Sequence, residues 1–113
     1  MRKTVNIAGK DIELKANGMT LIVYKSMFGR DLVDDFKAVQ KAFEAEGSIN
    51  GETFEIVAKL TYVMAGQADK SISSFEDWMD QFEYFPISEF ASDVIVLWAS
   101  SISTSSEVQS KNA

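Results

Sequence analysis

The side chains able to do chemistry in this chain are few, and nearly all are acids. Asp31, Asp34 and Asp35 stand together at the start of one periodic segment, and Glu76, Asp77, Asp80 and Glu83 line another. The first trio could ligate a hard cation, but a calcium loop places acids at alternating positions around a glycine, and that spacing is absent. The second group could supply the carboxylate pair of a glycosidase, which requires one acid with a pKa raised by burial. Its members sit opposite an apolar stripe, so both clusters are expected on solvated helix faces, the first-turn acids being favoured by the helix dipole. Arg30, between Gly29 and Asp31, could take a carboxylate or phosphate bidentately, although local pairing over a helix junction is the plainer expectation. The 113 residues include no cysteine and no histidine, which removes thiolate and imidazole metal ligands, the cysteine nucleophile and the commonest general base. Phosphate-loop, dinucleotide, nucleophile-elbow and zinc-helix motifs are also missing. The expectation is a protein that is not an enzyme, with no catalytic, metal or cofactor-binding residues.

What the sequence concentrates instead is aromatic surface. Seven of its thirteen aromatic residues fall between Phe75 and Trp98, amid acids. Each alone would be core by default, but apolar patches rimmed by one sign of charge mark protein-binding grooves. Trp78, Phe82, Phe85, Leu97 and Trp98 are therefore the candidate partner-binding residues.

Several elements must position these residues. Val5 and Ile7 alternate in Lys3 to Ala8, and Ile12 and Leu14 answer them in Asp11 to Lys15. With Gly9-Lys10 between, the two runs predict a hairpin with one apolar face. Thr20 caps a short helix to Phe28, and Gly29 provides a left-handed exit. Asp31 caps the next helix, whose stripe is Leu32, Phe36, Val39 and Phe43, with Asp35, Lys37, Lys41 and Glu44 facing water. Gly29, Arg30 and Asp31 thus form a structural junction. Asn50 caps a third helix to Ala68 that buries Phe54, Val57, Ala58, Leu60, Thr61 and Met64, while Ala65 and Gly66 permit a close neighbour. Overlapping capping boxes at Ser73 and Ser74 start a fourth helix, whose stripe Phe75, Trp78, Met79, Phe82 and Phe85 runs to Pro86. The fifth, Ser88 to about Ile102, is too apolar for one stripe; it is either the central helix or one facing a second partner. The fold class is mainly α (α+β): an N-terminal β-hairpin, then a compact bundle of four to five helices. Residues 1–102 make one domain, and the serine-rich 103–113 a flexible tail.

Charge narrows the partners. The net charge is −6, with seven acids and one base after residue 70, so neither nucleic acid nor an anionic membrane surface is expected. No run reaches the roughly 18 apolar residues of a bilayer span, and the expected location is the cytoplasm.

Tyr24-Lys25-Ser26-Met27-Phe28-Gly29-Arg30-Asp31-Leu32 resembles a stretch of the tail assembly chaperones of long-tailed bacteriophages and prophages of Gram-positive hosts. Ala58-Lys59-Leu60-Thr61-Tyr62-Val63-Met64-Ala65-Gly66-Gln67-Ala68-Asp69 and Ser74-Phe75-Glu76-Asp77-Trp78-Met79-Asp80-Gln81-Phe82-Glu83 follow in the same order, and the likeness spans residues 5 to about 98. Lys25, where arginine would be unsurprising, and Gly66, where alanine or lysine is common, depart from it. The resemblance implies a chaperone that solubilises the tape measure protein in the host cytoplasm and leaves before the virion is complete. It also implies a homo-oligomer, and a longer form, made by frameshifting near Ser110-Lys111-Asn112, through which the tail tube protein is mainly recruited. A small structural virion component, such as a head-tail connector or tail completion protein, is the alternative.

Overall fold

The computed structural model describes residues 1–47 and 50–102. The expected tail, 103–113, and the proposed frameshift position within it lie outside the described residues. In chain order the elements are β1 (Arg2–Ile7), β2 (Lys10–Lys15), α1 (Gly18–Phe28), α2 (Leu32–Glu46), α3 (Gly51–Ala68), α4 (Phe75–Asp80) and α5 (Ile87–Ile102). The fold is mainly helical with one N-terminal hairpin, as the capped periodic segments predict.

The hairpin pairs Val5 with Ile12 and Lys3 with Leu14. Its turn is Ala8-Gly9, one residue earlier than expected, because both residues take positive φ, 53° and 85°, as a two-residue primed turn demands. The Asn6 side chain secures it by accepting from the Gly9 N–H at 3.1 Å. Val5, Ile7 and Leu14 are buried; β1 lies against α5, and β2 against α3. A lone hairpin is marginal in water, and these helices supply the surface it needs.

The starts of α1 to α4 each rest on a side-chain cap. Asn17, rather than Thr20, caps α1, and Thr20 instead completes a capping box by accepting from the Asn17 N–H at 3.0 Å. Thr20 donates in turn to Gln67 Oε1 at 2.6 Å, and Gln67 Nε2 donates to Asn17 Oδ1, which fastens the start of α1 to the end of α3. Asp31, Asn50 and Ser74 cap α2, α3 and α4 at the expected positions.

The central helix is α3, with eleven buried residues and contacts to β2 and all four other helices. The fifth segment is thereby not the central helix: its buried residues Ile87, Phe90, Ala91, Val94, Leu97 and Trp98 form one stripe, and Val96 and Ile102 are left on the surface. Two details of α3 differ from expectation: Phe54 is exposed in its first turn, and, although Ala65 is buried, the space where Gly66 lacks a Cβ is open.

Candidate functional site

Four of the five candidate partner-binding residues belong to the core. Trp78 is 4% exposed, Phe82 8%, Leu97 6% and Trp98 1%, while Phe85 is half-buried. The reason is geometric. The stripe from Phe75 to Phe85 reads as one helix, but α4 ends at Asp80, and the chain turns back through residues 81–86 so that Phe82 and Phe85 fold onto Trp78. Edge-to-face pairs with centroids 5.0 to 6.1 Å apart link Tyr62 to Trp78, Trp78 to Phe82 and Phe85, and Phe85 to Phe54 and Phe90. Trp98 stands apart from this cluster, 4.7 Å from the Phe36 ring. Of the aromatic residues from Phe75 to Trp98, all but the exposed Tyr84 are taken up by ring-on-ring packing within the fold.

The junction behaves as its residues predict. Gly29 ends α1 at φ 67°, left-handed, and its N–H donates to the Lys25 carbonyl. Arg30 pairs locally: its Nε and Nη2 donate to the two carboxylate oxygens of Asp35 at 2.8 and 2.7 Å. Asp35 itself is a correction, since it is buried rather than on the wet face of α2. Its third hydrogen bond comes from the Tyr24 hydroxyl, which donates at 2.8 Å from α1. Burial alone would raise the Asp35 pKa, but the hydrogen bonds from Arg30 and Tyr24 outweigh it and hold the carboxyl below its ordinary value. Burial and the neighbouring carboxylate push Tyr24 strongly upward, so its hydroxyl stays a donor. The carboxylate of Asp35 thus binds both Arg30 and Tyr24, and the cluster locks α1 to α2.

The surface available to a partner lies elsewhere. Between α3 and α4 runs an open groove of about 340 Å³, floored by Phe54, Ala58, Phe75 and Met79. These are two i, i+4 pairs, one on each helix, so the groove is bordered by an apolar ridge from each. Its charged lining is entirely acidic: Glu55, Glu76 and Asp80. Glu55 pairs with Lys59 at 2.6 Å, whereas neither Glu76 nor Asp80 forms an ion pair among the described residues. The local sequence explains the split on α4. Trp78 takes the inward direction, which leaves Phe75 and Met79 half-buried at the edge and Glu76 and Asp80 on the rim. The sequence signal was present in the spacing of 54 with 58 and 75 with 79, but the larger Trp78 and Phe82 masked it.

A second apolar face is the outer side of α1, where Met19, Ile22 and Met27 are each about half exposed. The adjoining depression, bounded by Val23, Met27, Tyr62 and Ile72, carries both Asp69 and Lys70, so it has no net sign of charge.

Among the described residues, no group of three or more acids could hold a metal ion, and no helix is long and apolar enough to cross a membrane. No protein-family model matches the chain, and neither a curated protein nor a solved structure is detectably similar to it.

Proposed function

We propose that the chain works by binding: it is the short form of a phage tail assembly chaperone, covering amphipathic helix of the tape measure protein in the host cytoplasm and leaving before the virion is complete. The observation that carries this is the apolar-floored groove between α3 and α4, set in an acidic body. An amphipathic helix laid into such a groove buries its apolar face, and the client is shielded from aggregation while covered. The chain's net charge of −6 supports the same role, because charge repulsion keeps a coated client dispersed. The ordered resemblance across residues 5 to 98 supplies the identity of the client, and the same resemblance assigns recruitment of the tail tube protein mainly to a longer, frameshifted product and makes the chaperone a homo-oligomer.

Co-expression tests the proposal. The tape measure protein encoded beside this chain should move from the insoluble to the soluble fraction when the chain is present, and purified virions should lack the chain by mass spectrometry. Unchanged client solubility would refute the chaperone function. Recovery of the chain from mature virions at stoichiometric levels would favour a structural virion component instead.

A further inference from the structure

We infer that the α3–α4 groove is selective for a basic amphipathic helix, one whose apolar stripe is flanked by lysine or arginine. The inference rests on the binding function proposed above and adds the chemistry of the occupant. The floor, Phe54, Ala58, Phe75 and Met79, takes apolar side chains but cannot discriminate among the many helices that carry them. Discrimination comes from the rim. Glu55, Glu76 and Asp80 are the charged residues lining the groove, and no lysine or arginine lines it.

A helix bringing acids against this rim would set like charges together at short range, whereas lysine or arginine at the edges of its stripe would reach Glu76 and Asp80. Both rim acids are exposed and without an ion-pair partner among the described residues, so neither must be detached from a cation before binding. The contrast with the depression beside α1 is direct, since that face carries one charge of each sign and offers no such selection. Length sets the scale of recognition. Six residues of α4 span roughly 9 Å, so the groove holds about two successive anchors, one helical turn apart, and the attraction is correspondingly weak and reversible.

The test uses two synthetic peptides of about 18 residues, some five helical turns, with the same leucine stripe at i, i+3, i+4 and i+7. One carries lysine beside the stripe and the other glutamate, and binding to the intact chain is read by titration at low and high salt. The lysine peptide should bind, and weaken several-fold as salt rises, while the glutamate peptide should bind at least about tenfold more weakly. Glu76→Lys with Asp80→Lys changes two exposed positions and should reverse the preference, with circular dichroism confirming an intact fold. Ile22→Ser, on the outer face of α1, should leave both affinities unchanged. Equal binding of the two peptides, binding of neither, or an unreversed preference in the double variant would overturn the inference, as would loss of binding in Ile22→Ser. If the double variant still solubilises the tape measure protein as well as the original chain, the chaperone function stands and the charge-selective groove falls.

Discussion

Asp35 shows how one residue can hold two helices in register. Its carboxylate receives Arg30 from the junction and Tyr24 from α1, and its pKa lies below the ordinary 3.8. Below pH 3.8 the unfolded chain takes up a proton at this position that the folded chain resists. The cluster's contribution is therefore complete above that pH and is lost as pH falls through the folded-state value. Denaturant melts between pH 7 and pH 2.5 should show this loss, and Asp35→Asn should flatten the slope in that window. At neutral pH the same substitution should cost on the order of 1–3 kcal/mol, because it weakens the grip on a half-exposed Arg30 and disturbs a buried acceptor for Tyr24. Trp78 makes the opposite point about visibility. Its spacing on α4 was legible, but not its direction, because a stripe reports which residues share a side and not whether that side meets the core or a partner. Trp78→Asp should unfold the domain, seen as loss of the cooperative melt, since it places a charge among Tyr62, Phe82 and Phe85.

At the scale of elements, what was legible is what is local. Asp31, Asn50 and Ser74 act within three residues of themselves, and Gly29 needs only its own φ, so these boundaries could be found without knowing the fold. The end of α4 could not, because no glycine or proline marks Asp80. The helix stops there because the chain must turn to bring Phe82 and Phe85 onto Trp78. Asp35 was misplaced for a related reason: its partner Tyr24 lies eleven residues away on a different helix. Two substitutions test the element boundaries. Gly29→Val should destabilise by about 1 kcal/mol or more in a denaturant melt, and the cost is conformational, since the space around the missing Cβ is open. Ala8→Asn should stabilise by a few tenths of a kcal/mol, because asparagine tolerates the positive φ of the hairpin turn better than alanine does.

The whole molecule is a helical body whose largest aromatic residues serve its own core, leaving its apolar contact surfaces to smaller or half-buried side chains. The groove between α3 and α4 combines an apolar floor with an acidic rim, and the outer face of α1 offers apolar surface beside one charge of each sign. The five methionines distinguish the two. Met79 lies on the groove floor, Met19 and Met27 on the outer face of α1, Met64 in the core, and Met1 just before β1. Carbon-13 labelling of the methionine methyl groups, followed by titration with a helical segment of the tape measure protein, reads all of these positions in one NMR spectrum. Binding through the groove predicts that the Met79 resonance shifts or broadens first and most, with Met19 and Met27 nearly still. A titration that moves Met19 and Met27 while Met79 stays in place would contradict the account.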